Sequence, residues 1–205
     1  MKISVFAGDL CDVRADALCT STNPRLSLVM GTGASVLGRG GYQILRACEA
    51  IVEAESGRSG TRGLIPGSAH ATIAGTLPAK VIVHCVASDA AHRSSAAIIR
   101  SCVRNALALA EAAGCKSIAM PVFGTGHAHF AVDQALLVMA ETLRDEPTRL
   151  EHVYLALYDC ELVDDVVGVL RSTIPSAEID VQTGTEVPEE APGMWSPDWG
   201  DRYGI

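Results

Sequence analysis

Short apolar runs alternate along this chain with longer amphipathic stretches, and turn-forming residues punctuate them. Residues 3–6 and 17–21 are β-type runs, separated by a turn segment that contains Gly8 and Asp9. Residues 69–73 and 81–86 read as two further strands, with Leu77 and Pro78 at the turn between them. Such runs, bounded by Gly and Pro, carry the strand signature. Between residues 94 and 113, Ile98, Ile99, Cys102, Val103, Ala106, Leu107 and Ala110 recur at helical spacing, and Gly114 stops the pattern. Residues 34–55 show similar spacing, interrupted at Gly38 and at Gly40-Gly41. A strand over 118–123, a helix over 131–144, a strand over 153–158, a helix over 162–172 and a last short strand over 179–181 complete the pattern. Strands and helices that alternate in this way predict one three-layer α/β/α domain over residues 1–182, with a mixed, mostly parallel central sheet. No internal repeat is visible.

From Thr183 the character changes. Residues 183–205 are rich in Pro, Gly and acidic side chains and hold both tryptophans, Trp195 and Trp199. Two readings stand: a tail that lays its aromatics on its own domain or on nothing, or a docking segment for a partner. Pro197 argues against one continuous helix through both tryptophans.

The composition narrows the function classes. The chain has 205 residues, 48% of them hydrophobic, enough for one sizeable core. Aromatics make up only 4%, so Ala, Val, Leu and Ile fill that core. A net charge of −8 argues against broad binding to nucleic acid or an anionic membrane. The N-terminus reads at once as a strand rather than a secretory signal, and no apolar run has the length of a membrane span. Seven cysteines are scattered with no C-x-x-C pair, which predicts reduced, buried thiols in the cytoplasm. No His/Cys pair has metal-ligand spacing, so neither a metal nor a redox cofactor is expected.

Two glycine-rich segments carry the chemistry. Ile118 to Phe130 reads IAMPVFGTGHAHF: a strand, then Gly124-Thr125-Gly126, then His127 and His129, then a helix start. Met30-Gly31-Thr32-Gly33-Ala34 follows another strand. Glycine lets the backbone approach a phosphate closely, and free N–H groups at a turn or helix start point at the anion. Two such segments suit a ligand with two phosphates, or a phosphate and a sugar. No G-x-x-x-x-G-K-[ST] occurs, and Gly38-Arg39-Gly40-Gly41 follows no strand, so P-loop and dinucleotide fingerprints do not fit.

The order of several motifs resembles the macrodomain, a fold that binds ADP-ribose. Gly8-Asp9-Leu10 followed by Ala15-Asp16-Ala17-Leu18 is similar to the family's GDI…ADAIV, and Thr20-Ser21-Thr22-Asn23 stands where many members have NAAN. The stretch PGSAHATIAGTLPAKVIVHCVAS resembles the family's LPAKYIIH segment, and KSIAMPVFGTGHAHF its SIAFPAISTGxxGF loop. The resemblance covers roughly residues 1–172. It implies that Asp9 accepts a hydrogen bond from the adenine amino group beside the backbone of Leu10, and that Asn23 contacts the distal ribose. It implies that Gly31, Thr32, Gly33 and Ala34 pack on distal ribose and diphosphate. Gly124, Thr125, Gly126, His127, Ala128 and His129 would cradle the diphosphate, with Phe130 walling the ribose. Tyr158 and Asp159 lie where the family often frames adenine; a plain strand end is the competing reading. For Asp9 and Asn23 the competing readings are a turn cap and an Asx turn before Pro24.

Departures from the pattern leave binding or hydrolysis open. Thr20 stands in place of the first Asn of NAAN, and Ser35 where one hydrolase branch has Asp. Met30 to Leu37 looks like the MGxGIAxxF loop of the terminal ADP-ribose glycohydrolase branch, but its catalytic Lys is missing, and Gly38-Arg39-Gly40 follows instead. Arginine stays protonated and makes a poor nucleophile. That branch's second catalytic Asp would fall near Ala128. His127 and His129 remain as candidate general acid or base groups, as contacts to the diphosphate, or as loop residues without chemistry. His70 and His84 read as core residues, His92 and His152 as surface ones. The partner expected is ADP-ribose or an ADP-ribosylated macromolecule, with nucleic acid only as a modified target.

Overall fold

The computed structural model describes residues 2–59 and 63–184. Seven strands form one sheet: β1 (Lys2–Ala7), β2 (Ala17–Thr22), β3 (Ala69–Thr72), β4 (Val81–Val86), β5 (Ser117–Pro121), β6 (His152–Leu157) and β7 (Glu178–Thr183). Five α-helices accompany them: α1 (Gly31–Gly40), α2 (Tyr42–Ser59), α3 (Ala96–Ala112), α4 (Val132–Asp145) and α5 (Val163–Thr173). The strand order is β3-β4-β2-β5-β6-β1-β7. Every pairing is parallel except β3 on β4, which is antiparallel at one edge. This is the mixed, mostly parallel sheet that the alternation predicts.

The sheet buries both faces, as parallel sheets do. On one face Ile99, Cys102, Val103 and Ala106 of α3, Met139 and Leu143 of α4, and Val166 and Leu170 of α5 pack on Ile3, Val5, Ile118 and Leu155. On the other, Val36 of α1 with Ile44 and Cys48 of α2 close over Phe6, Leu18, Ile82 and Ala156. Strand β4 is buried along its whole length, and its sequence VIVHCV accordingly reads as a nearly continuous apolar run.

The elements differ from the expectation at their ends. The single interrupted helix over 34–55 is two helices, broken at Gly41, whose φ of 95° is closed to most side chains. Helix α1 starts at Gly31, so the first glycine segment is a helix's opening turn rather than a loop. Strand β5 stops at Pro121, which has no N–H for a further ladder bond, and Phe123 falls in the turn beyond it. Strand β7 extends to Thr183, and Gly184 donates to the Ala7 carbonyl at 2.9 Å. The tail reading for Trp195 and Trp199 lies outside the described residues.

Candidate functional site

Because six of the seven strands run parallel, their C-terminal ends share one edge of the sheet. Gly8 and Asp9 leave β1 there, Asn23 leaves β2, residues 87–95 leave β4, residues 122–131 leave β5 and Tyr158 leaves β6. The topology thus gathers the sequence-predicted residues on one rim, where open α/β sheets hold their ligands. Among the described residues, three non-glycine residues have positive φ: Leu26 at 50°, His92 at 57° and His129 at 50°. All three lie in these rim loops, and strained backbone of this kind concentrates at functional sites.

The loop after β5 is a tight turn. Phe130 N–H donates to the Gly124 carbonyl at 3.0 Å and His129 N–H to that of Gly126 at 3.0 Å, which closes the loop on itself. Thr125 Oγ1 donates to the Val122 carbonyl at 3.0 Å. The N–H groups of Thr125, Gly126, His127 and Ala128 find no acceptor among the described residues. Four consecutive free donors in one turn form a nest that favours an anion. Gly124 sits at φ 79°, buried, and a Cβ there would lie 2.7 Å from Ser94 Oγ. That hydroxyl is itself buried without a partner among the described residues. His127 and His129 are exposed, with ring centroids 6.3 Å apart, and Phe130 is half-buried.

Beside this loop, α1 begins with Met30 as its cap residue and no side-chain hydrogen bond to its first turn. The opening N–H groups at Gly31, Thr32 and Gly33 are therefore without an intrahelical acceptor, while Ala34 N–H already reaches the Met30 carbonyl at 3.3 Å. Gly33 is buried against the Leu28 backbone, at 3.0 Å from where its Cβ would stand. Asn23 makes the Asx turn foreseen as its plain reading: its Oδ1 accepts from Arg25 N–H at 2.9 Å and Ser27 N–H at 3.4 Å. Its amide nitrogen has no partner among the described residues.

Asp9 occupies the other end of the rim as the cap of the 3-10 turn Leu10–Asp12. Its Oδ1 accepts from Cys11 N–H at 2.8 Å, and its Oδ2 accepts from the Ser35 hydroxyl. Arg39 lies 3.8 Å from the same Oδ2 and pairs at 2.7 Å with Asp12. Leu10 buries its side chain, and its backbone N–H has no acceptor among the described residues. A free N–H next to a carboxylate offers a donor and an acceptor to one edge of a purine. Cys11 accepts a contact from Ser35 at 3.4 Å, but burial first of all pushes its thiol up to about 11, so it is no nucleophile near neutrality. Tyr158 is exposed, and Asp159 caps the turn Cys160–Leu162 through Glu161 N–H at 3.0 Å.

The model of the Macro domain family matches residues 19–139. The chain belongs to the Macro domain family. It is 33% identical over 165 residues to a Macro domain-containing protein of Streptomyces nogalater, covering 79% of this chain and 88% of the relative. It is 31% identical to an O-acetyl-ADP-ribose deacetylase of Enterobacter sp., covering 78% and 88% respectively. Among solved structures, a mutant macrodomain of Oceanobacillus iheyensis with ADPR superposes with a TM-score of 0.72 at 19% identity, covering 83% of this chain and 90% of that one. The macrodomain of Trypanosoma brucei in complex with ADP-ribose gives 0.67 at 21% identity, covering 83% and 68%. These likenesses establish the macrodomain fold.

Within this macrodomain several positions turn out differently from the sequence reading. Thr20 faces the interior of the sheet, not the rim: its hydroxyl bonds His84 Nδ1 at 2.8 Å. His84, read as a core residue, is fully buried between Thr20 and Thr72 as expected, and burial lowers its pKa to about 4, so it is a neutral core imidazole. Arg39, which follows where the terminal ADP-ribose glycohydrolase branch has its catalytic Lys, is held at the end of α1 against Asp12 at 2.7 Å. Ser35, read as a lost catalytic position, braces Asp9 instead. His70 is half-buried rather than core, bonded to Ser68 at 3.0 Å. His152, read as a surface residue, is half-buried and stacks on Tyr154 at 3.9 Å. His92 is exposed as expected, yet its ring meets that of His127 at 4.5 Å. Sequence spacing gives no sign of that contact, since 35 positions separate the two.

Proposed function

We propose that this macrodomain binds ADP-ribose, or an ADP-ribosyl group on a macromolecule, along the C-terminal rim of its sheet. The observation that carries the reading is the run of four unpaired N–H groups at residues 125–128, in a turn closed by Gly124 and Phe130. The diphosphate would sit on that turn and on the opening turn of α1. Asp9 and the Leu10 N–H would take the adenine edge, and the Asn23 amide the distal ribose. The names of the Enterobacter relative and of the structures solved with ADPR support the ligand. A nucleic acid would be a target only where it carries the modification.

We infer that the ligand-binding unit is the domain read in the sequence as residues 1–182, which β7 carries on to Thr183. The cytoplasm is its proposed location. Among the described residues, Cys11, Cys19, Cys48, Cys85, Cys102 and Cys115 are buried free thiols, which suits a reducing compartment. No helix of the described residues is long and apolar enough to cross a membrane.

A calorimetric titration with ADP-ribose, with AMP and NAD as controls, tests the reading. Selective micromolar binding, weakened at least tenfold in Asp9→Ala, is the expected result. No heat and no thermal shift at millimolar ADP-ribose would sink it.

A second reading is favoured by the 31% identity to an O-acetyl-ADP-ribose deacetylase: hydrolysis of an ADP-ribosyl ester, an N-glycoside or O-acetyl-ADP-ribose. Water would attack the acyl carbonyl or the anomeric carbon, and His127 or His129 would take its proton. Full turnover by both His127→Ala and His129→Ala would leave only a water activated by the ligand's own phosphate.

A further inference from the structure

The loop between β4 and α3 has no assigned role in ligand binding, yet through His92 it reaches the turn that follows β5. Asp89 organises it. Its Oδ1 accepts from Ala91 N–H and Arg93 N–H, each at 2.9 Å. Its own N–H donates to the Arg93 carbonyl at 2.8 Å, and its carbonyl accepts from His92 N–H at 3.0 Å. The Arg93 guanidinium closes the ring on Asp89 Oδ2 at 2.9 Å and 3.0 Å. The carboxyl is held below the usual carboxylate range, chiefly by the Arg93 backbone N–H.

This braced turn holds His92 at φ 57°, a conformation that a non-glycine residue adopts against a steric penalty. The imidazole it presents meets His127 edge-to-face, at 4.5 Å between centroids and 89° between planes. Aromatic rings prefer that geometry. His127 is the third of the four residues 125–128 whose N–H groups find no acceptor among the described residues. An exposed imidazole on a glycine turn is otherwise free to take several rotamers, and ordering it on ligand binding lowers affinity.

We propose that His92 belongs to the ligand site as a positioning residue, holding the His127 ring beside the unpaired N–H groups of the anion turn for a diphosphate-bearing ligand. This rests on the ADP-ribose reading above. Asp89 is then the residue that builds the presenting turn. The two histidines act as one unit, and the backbone strain at His92 is retained because the contact needs it.

Titration of ADP-ribose into the full chain and into His92→Ala, His92→Phe, His127→Ala and the double variant His92→Ala/His127→Ala tests this. His92→Ala should weaken binding about three- to tenfold, the range set by immobilising one side chain. His92→Phe, which keeps an edge-to-face ring and loses both nitrogens, should recover to within about twofold of the unaltered chain. The double variant should bind no worse than His127→Ala, as coupled residues do. Unchanged affinity in His92→Ala overturns the proposal. So does a His92→Phe variant as weak as His92→Ala, or full additivity in the double variant. If the unaltered chain binds no ADP-ribose, the functional reading fails separately. The positional claim is then decided by imidazole NMR of the free protein: His127 ring resonances that shift in His92→Ala support it, and resonances that stay put refute it.

Discussion

Gly124 anchors the anion turn, and replacing it by alanine probes two forces at once. Its φ of 79° lies in the left-handed region, where a Cβ costs roughly 1–2 kcal/mol. The added methyl would also stand 2.7 Å from Ser94 Oγ, 3.0 Å from Ser94 Cβ and 3.3 Å from Ile99 Cδ1. Relieving such overpacking costs about 1–3 kcal/mol. Gly124→Ala should therefore destabilise the fold by about 2–5 kcal/mol. At roughly 2–4 °C per kcal/mol for a chain of this size, that is a drop of at least about 4 °C in Tm. Urea unfolding followed by far-UV circular dichroism gives the free energy directly.

The design gains power from Ser94. Its hydroxyl is buried with no partner among the described residues, so Ser94→Ala removes an unsatisfied group and should be neutral or slightly stabilising. In the double variant Gly124→Ala/Ser94→Ala the 2.7 Å contact disappears while the 3.0 Å contact and the backbone strain stay. It should recover part, not all, of the Gly124→Ala loss, and the deficit from additivity measures the clash. A Gly124→Ala protein as stable as the parent, to within about 0.5 kcal/mol, would refute the strain argument. A Ser94→Ala loss above about 1 kcal/mol would show that the hydroxyl has a partner after all.

Further outcomes follow from the same geometry. Ser35→Ala removes the hydroxyl that Asp9 Oδ2 accepts, so ADP-ribose affinity should fall about three- to tenfold in a calorimetric titration, while Arg39→Ala, which leaves both close hydrogen bonds of Asp9 in place, should change it less than about twofold. Stability should rise with pH between about 4 and 6.5, because unfolded chains protonate His84 while burial keeps the folded imidazole neutral down to about 4. Its share of the folding free energy is fully present above pH 6.5 and is lost as pH falls, amounting to about 2 kcal/mol between pH 8 and pH 5. Burial lowers His70 and His152 as well, adding to the same slope. Unfolding of His84→Gln at both pH values checks this: an undiminished difference would put the slope elsewhere.

The alternation of strands and helices in the sequence was enough to read the layered architecture, because period-two and period-3.6 patterns follow from which faces must be buried. The glycine-rich segments and the turn readings of Asp9 and Asn23 were legible for a similar reason: a tight turn, or a side chain that caps one, restricts residue type locally. Polar side chains whose partners come from distant strands and helices were not legible. Thr20 matched a motif position, but its place in the register of β2 against β4 turns it to His84 inside the sheet. Ser35 and Arg39 looked like lost catalytic groups until α1 was laid across the end of β1, which makes both partners of the acidic pair Asp9 and Asp12. The contact of His92 with His127 depends on the parallel order of β4, β2 and β5, which brings two loops to one edge. Local sequence thus determined which segments would form strands, helices and tight glycine turns, since those choices depend on near neighbours and burial. Only the tertiary structure decided which side chains share a hydrogen bond or a ring contact, since strand order and register set those distances.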